Sequence, residues 1–322
     1  MKKLMKKYKE LGLVYALESF LMYPLQRICN IYNDLIIRKR YSDKKEILKT
    51  VNGYKMVLYP HKKGVHKDLL IHPTREPEST NFLKTKVKDG DVVLEAGANI
   101  GYYALLSAKY VGKKGFVYCV EPSSENYEFL KRNKEINNLK NMELRKMALG
   151  DKNGEETLNL FEGGNLNTLK KNISSKPRGK EKVKVMTIDS FLKNKRKPNI
   201  IRMDVEGSEY EIIKGARELL EKSPPKLIFI ELHGFYMGLE KSEELLRNLK
   251  EKGYEISFFS LEKNIPANLP ILGNLMNKIT KKRDSRIMKT KKMTIEKLIN
   301  NKNLLKNYSP GIFFEHKDNK FE

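Results

Sequence analysis

Three carboxylates cluster just after one short apolar run, where Ile200, Ile201 and Met203 lead into Asp204, Glu206 and Glu209. A second run, Ile228, Phe229 and Ile230, leads into Glu231 and His233. Apolar runs of this length, bounded by polar residues, read as buried strands, and open α/β sheets bind ligands beyond the carboxyl ends of such strands. An aspartate held there, or an imidazole titrating near neutrality, is the kind of group that takes a proton from a hydroxyl. Asp204 is the first candidate for orienting or deprotonating an acceptor, and His233 is the rival. Strand alternation puts Glu206 on the same face as Asp204 and Arg202. Glu209 reads more simply as a favourable charge in the first turn of the next helix, contributing about 0.3–1 kcal/mol. Oxygen ligands from Asp204, Glu206 and Glu231, with His233 beside them, would suit Mg²⁺, yet no ligand spacing compels a metal and none is assigned. His61, His66 and His72 have no zinc-type pairing and are expected on the surface.

A ligand corner lies upstream, in residues 92–101, VVLEAGANIG. Val92, Val93 and Leu94 form a buried-strand signal that ends in Glu95. The small residues Ala96, Gly97 and Ala98 with Asn99 then turn the chain toward a helix beginning near Gly101. A dinucleotide fingerprint starting at Gly97 would need glycines where Asn99 and Tyr102 stand. A phosphate-binding P-loop would need Gly-Lys-Ser/Thr where Tyr102, Tyr103 and Ala104 stand. The corner therefore suits a nucleoside that brings no phosphates. A further apolar run, residues 116–120, ends in Glu121, where a carboxylate can accept both hydrogen bonds of a ribose diol.

These groups need a scaffold of alternating strands and helices. Strands are expected at 92–95, 116–121, 142–147, 200–204 and 226–232, which argues for a doubly wound parallel sheet. An added antiparallel pair is expected from residues 157–161 and 183–186. Ahead of the core, Met56, Val57, Leu58 and Tyr59 are expected to pair in a hairpin with Leu69, Leu70 and Ile71. Residues 254–259 and 311–314 supply the last two strands, separated by an insertion at 261–310. That insertion carries a basic cluster from Lys278 to Lys292 and a helix at 294–300.

The ordered motifs resemble the FkbM-type family of S-adenosylmethionine-dependent methyltransferases. The residues that carry the resemblance are EAGANIGYY at 95–103, Val120-Glu121-Pro122, MALGD at 147–151, TIDSF at 187–191 and IRMDVEGSE at 201–209. Glu95 stands where the family more often has Asp, and Arg202 where it more often has Lys; both keep the charge. The resemblance implies a class I methyltransferase (Rossmann-like) sheet closed by an antiparallel final hairpin, with S-adenosyl-L-methionine as cofactor. It further implies that Glu95, Gly97 and Gly101 let the backbone approach the methionine portion while Glu121 takes the ribose. Asp151 would accept from the adenine amino group, Asn99 would shape the turn, and Glu76 would face the site from just before the core. The methyl acceptor it implies is a hydroxyl on a sugar, glycolipid or natural-product-like small molecule.

Charge and composition bound the remaining readings. The 322 residues carry 64 Lys and Arg against 40 Asp and Glu, a net charge of +24 that raises nucleic acid, anionic lipid or a phosphorylated acceptor as partners. An RNA methyltransferase is the chief alternative. Against it, Asp204-Val205-Glu206-Gly207 is not the Asn/Asp-Pro-Pro-aromatic loop that holds a flipped base, and the chain has no Trp. A non-catalytic membrane-surface protein on the same fold is the third reading. Two cysteines, Cys29 and Cys119, give no disulfide framework and fit a reducing, cytoplasmic setting. Residues 1–50 read as a separate helical, basic-flanked segment and 51–322 as the methyltransferase domain, its core at about 76–260 and 311–316. Val14, Leu17, Leu21, Leu25, Ile28, Tyr32 and Leu35 form an apolar stripe with lysine flanks, suited to peripheral contact with an anionic inner membrane face. Charges and Pro24 interrupt the stripe, so no membrane span is read.

Overall fold

A computed structural model of the chain describes residues 27–28, 31–72, 74–164, 166–170, 176–261 and 293–319. Twelve strands occur among them in chain order: β1 (Ile47–Val51), β2 (Tyr54–Leu58), β3 (Val92–Ala96), β4 (Phe116–Val120), β5 (Met142–Arg145) and β6 (Ala148–Leu149), followed by β7 (Gly154–Leu160), β8 (Gly179–Met186), β9 (Ile200–Met203), β10 (Leu227–Glu231), β11 (Tyr254–Ser260) and β12 (Gly311–His316). The apolar runs assemble into one seven-stranded sheet ordered β11-β12-β10-β9-β3-β4-β5. Its neighbours from β10 to β5 are parallel, whereas β12 lies antiparallel to both β10 and β11. This is the doubly wound sheet with an antiparallel final hairpin expected from the sequence.

The central strands read as continuous apolar runs because both faces are covered. Every residue of β3 and β9 is buried, and alternate side chains feed opposite cores. Leu94, Ile201 and Ile228 pack on one face with Ile212, Leu245 and Leu249 from the helices Glu209–Lys214 and Leu239–Glu251. Val93, Val117, Phe229 and Phe313 pack on the other with Tyr103 and Leu106 of the helix Tyr102–Tyr110. Chain order runs outward from β3 through β4 to β5 and, on the other side, from β9 to β10. The carboxyl ends of β3, β4, β9 and β10 therefore border the crevice where the order reverses, which is where such sheets bind ligands.

A smaller sheet ordered β6-β8-β7 contains the expected antiparallel pair, and the loop after β7 returns over the crevice. The upstream hairpin differs from expectation. β2 pairs with β1, and Leu69, Leu70 and Ile71 belong to a helix, Val65–Ile71. Val65 and Leu69, like His66 and Leu70, are four apart and all buried, a helical rather than a strand period. The overlooked signal is Asn52-Gly53, both at positive φ (53° and 85°), the turn that best matches strand twist in a two-residue hairpin. Because β1 starts at Ile47, this hairpin crosses residue 50, where the domain boundary was expected. His66 is also buried rather than at the surface, packed on Tyr59 and Phe129. Burial, reinforced by Lys62, pushes its imidazole down to about 4.

Residues 31–41 form a helix that turns Asn33 and Ile37 inward and leaves Ile31, Tyr32 and Leu35 exposed. The apolar stripe at 14–25 and the basic cluster at 278–292 lie outside the described residues. Within the insertion, the expected helix occurs at Ile295–Asn300, capped by Thr294, and a second follows at Lys302–Asn307. Among the described residues no helix is long and apolar enough to cross a membrane.

Candidate active site

A cavity of about 310 Å³ opens at the strand-order reversal. One wall is the turn after β3. Gly97 there has φ of 76°, and a Cβ built on it would lie 2.0 Å from the Asp204 carbonyl oxygen, so only glycine lets the turn rest on the chain leaving β9. Asn99, also at positive φ, donates its N–H to Glu121 Oε2 at 2.8 Å and closes the turn by accepting from Ile100 N–H at 2.8 Å. Glu121 Oε1 accepts from Ser123 N–H at 3.0 Å. The Glu121 side chain lines the cavity, and burial pushes its carboxyl up to about 7 against those hydrogen bonds. Asn126 Nδ2 stands at 3.5 Å from Oε1 as a longer third donor, and the second lone pairs of the carboxylate can accept from a ribose diol. Val120, Pro122, Leu149 and Leu158 give apolar walls beside it. These features fit the adenosine part of S-adenosylmethionine.

The facing wall is ionic. Asp204 follows β9, with Oδ2 accepting from Arg202 Nη2 at 3.1 Å. Burial pushes the Asp204 carboxyl up, but Arg202, His233 and Arg75 outweigh it and hold the group below its usual range. His233 is 4% exposed, and its Nδ1 lies 2.7 Å from Oε1 of Glu209, a fully buried carboxylate that also accepts from Gly207 N–H at 3.1 Å. His233 Nε2 faces Glu206, Glu231 and Asp204 at 3.5, 3.7 and 3.9 Å. Burial alone would lower the imidazole's affinity for its proton, yet Glu206, Glu209 and Glu231 together hold its pKa well above the ordinary value. Glu206 is pushed up to about 7 by burial, opposed by His233. Its backbone, at φ 51°, is fixed where the Thr168 hydroxyl donates to its carbonyl at 2.7 Å.

The structure brings Asp204, Glu206, His233, Glu121, Gly97, Asn99 and Glu76 to this one cavity. Glu76 accepts from the Tyr103 hydroxyl at 2.7 Å and from Arg75 at 3.0 Å. Three of the residues implied for cofactor contact lie elsewhere. Glu95 sits fully buried beneath the floor, accepting from Arg202 Nη1 at 2.9 Å, with burial raising it to about 7 against that arginine. Gly101 caps the helix Tyr102–Tyr110, where a Cβ would press on Leu130 at 2.8 Å. Asp151 points outward, 3.8 Å from Lys214. The residues not anticipated are Arg75 and Tyr103 on the ionic wall and Asn126, Asn167 and Thr168 around the loop after β7. Only Glu209, already noted for its charge, carried a signal, and its partner lies 24 positions away.

A match to the Methyltransferase FkbM domain spans residues 95–256, just over half of the chain, from the end of β3 to the start of β11. The protein belongs to the FkbM methyltransferase family. Its methyl donor is S-adenosylmethionine. No curated protein matches the chain. Solved structures similar to it include the tRNA m1G37 methyltransferase of M. jannaschii, 11% identical, with TM-score 0.39 over 85% of this chain and 57% of that one. The precorrin-6y C5,15-methyltransferase of Geobacter metallireducens is 13% identical, with TM-score 0.36 over 60% and 77%. Fibrillarin from Aeropyrum pernix, with natively bound S-adenosyl-L-methionine, is 14% identical, with TM-score 0.35 over 57% and 67%.

Proposed function

We propose that this methyltransferase acts on a hydroxyl of a sugar, glycolipid or natural-product-like small molecule. The observation that carries the reading is that Glu121 and Gly97 share a single cavity with Asp204, Glu206 and His233. Bound S-adenosylmethionine supplies an electrophilic methyl group on a good leaving group, so the chain must chiefly align an acceptor oxygen and accept its proton. Asn99 and Glu121 hold the adenosine side, and Gly97 lets the backbone approach the methionine portion. Asp204 keeps Oδ1 turned toward His233 while Arg202 occupies Oδ2, so Oδ1 is the oxygen offered to an acceptor hydroxyl. His233, pinned through Nδ1 by Glu209, aims Nε2 at the same point and orients the acceptor from the other side.

Incubating the enzyme with labelled donor and fractionated glycans, glycolipids and RNA tests the reading. Label should enter the glycan or glycolipid fraction and fall at least tenfold with Asp204→Asn. Label confined to RNA, with binding that weakens steeply with salt, would favour the reading that the +24 charge supports. The exposed Ile31, Tyr32 and Leu35 support peripheral contact with an anionic membrane surface, which co-sedimentation with anionic liposomes tests.

A further inference from the structure

We propose that Asp204, Glu206 and His233, with Glu231 beside them, form a binding site for a divalent cation of the Mg²⁺/Mn²⁺ class. One ligand atom each from Asp204, Glu206 and His233 lies within 4.8 Å of the others. His233 Nε2 is directed at carboxylate oxygens of Glu206, Glu231 and Asp204, 3.5–3.9 Å away, too far for good hydrogen bonds and with no other partner for that nitrogen among the described residues. Donors held about 2.1 Å from one octahedral centre stand about 3.0 Å apart when adjacent and about 4.2 Å when opposite. The three separations from His233 Nε2 fall between those limits, which is the spacing of groups gathered round an ion rather than bonded to each other.

A second observation points the same way. Metal-ligating histidines characteristically give their other ring N–H to a carboxylate, which fixes the tautomer and leaves the free lone pair on the ligating nitrogen. Glu209, fully buried, does this to His233 Nδ1 at 2.7 Å. Asp204 is divided in the same sense, with Oδ2 on Arg202 and Oδ1 facing His233 Nε2. Mixed carboxylate and imidazole donors suit Mn²⁺ somewhat better than Mg²⁺, and the set holds no thiolate or thioether to select a soft metal. These residues line the cavity, so a cation held there would stand between Asp204 Oδ1 and His233 Nε2 and an acceptor hydroxyl, taking the place of their direct contact with it and easing loss of its proton.

The inference does not depend on the acceptor's identity, because the test uses Mn²⁺ alone with the full chain. Titration with MnCl₂, followed by calorimetry and by the loss of the free-ion electron paramagnetic resonance signal, should show one equivalent bound. Pulsed resonance on the bound ion should show nitrogen coupling from one imidazole. The double variant Asp204→Asn/Glu206→Gln should bind at least a hundredfold more weakly, and Glu209→Gln about tenfold more weakly. Should the double variant not fold, the nitrogen coupling in the unaltered protein decides the matter. No uptake at millimolar Mn²⁺ by protein that still takes up S-adenosylmethionine, a bound ion without nitrogen coupling, or unchanged affinity in the folded double variant would each overturn the site. A failed methyl-acceptor assay would leave it untouched.

Discussion

The two walls of the cavity are built by different means. The wall proposed to hold the donor is mostly backbone: Gly97 and Asn99 turn the chain, and main-chain N–H groups of Asn99 and Ser123 hold Glu121. The wall proposed to meet the acceptor is mostly side chain: Arg202, Asp204, Glu206, Glu209, Glu231 and His233 position one another through charge. A backbone wall depends on which residues can be absent of bulk, whereas an ionic wall depends on each partner staying in place. The walls touch where Gly97 rests on the Asp204 carbonyl, and Arg202 bridges them from below by holding both Glu95 and Asp204. Substitutions at these junctions should damage both walls, and substitutions away from them only one.

The largest effect should come from Gly97→Ala. The added Cβ meets backbone, not a yielding side chain, at a positive φ, so a stability loss of about 2–4 kcal/mol is expected. Calorimetry on whatever folds should show donor affinity reduced about a hundredfold, equivalent to roughly 2.7 kcal/mol. Near-normal donor binding would mean that the turn can move off Asp204 and that the walls are independent. Next comes Arg202→Met, which strands Glu95 in a fully buried site and also loses the guanidinium stacked 4.2 Å over Tyr103. Removing one partner of a buried ion pair costs about 3 kcal/mol. Chemical denaturation should show that loss, with part of it recovered in Arg202→Met/Glu95→Gln, where the fully buried Glu95 charge is no longer left unpaired and only Asp204 lacks its arginine.

Much of this arrangement was legible in the sequence because it depends on local order. Each wall strand announces itself as an apolar run, and Glu121, Asp204 and His233 stand where their strands end. What was hidden depends on strands far apart in the chain. Glu95 reads as a cofactor residue until β3 and β9 lie side by side with Glu95 beside Arg202, 107 positions later, and the arginine draws it under the floor. Glu209 reads as a helix charge until β10 carries His233 onto it. Asp151 shares a recognisable motif with Ala148 and Leu149, yet its side chain leaves the cavity for Lys214 while the two apolar neighbours stay. The turn Asn52-Gly53 was local and readable, but drawing a domain boundary at residue 50 cut through its first strand.

A smaller effect, confined to the donor wall, should appear with pH. Burial raises Glu121 to about 7 in the free protein, and in the proposed role a ribose diol would donate to its charged form. Donor binding must therefore drive off the proton when the pH lies below about 7. Affinity should rise by up to about tenfold per unit as pH increases toward 7 and level off above it. The folding contribution has the opposite sign: with its pKa raised from 4.5, the group favours the native state most at low pH and loses that contribution as pH rises through about 7. Glu121→Gln should flatten the affinity profile at a level roughly tenfold below the plateau that the unaltered protein reaches above pH 7. A profile that stays steep in the variant would assign the titration to the acceptor wall.

The smallest effect should mark the acceptor wall alone. Thr168, 2% exposed, reaches from the loop after β7 to donate its hydroxyl to the Glu206 carbonyl at 2.7 Å, and it also accepts from Lys170 N–H at 3.1 Å. Thr168→Val keeps the shape and removes both bonds, leaving a buried carbonyl without its donor, so a stability loss of about 1–2 kcal/mol is expected. Glu206 holds a left-handed backbone conformation that non-glycine residues adopt at a cost, and this bond is one of the restraints that keeps it there. Turnover should fall severalfold as Glu206 shifts relative to His233, while donor affinity stays within twofold of the unaltered enzyme because no residue of the Gly97–Glu121 wall touches Thr168 by hydrogen bond. Equal losses in donor affinity and turnover would instead make the loop a lid over both walls, and the separation between backbone-built and charge-built halves would fail there.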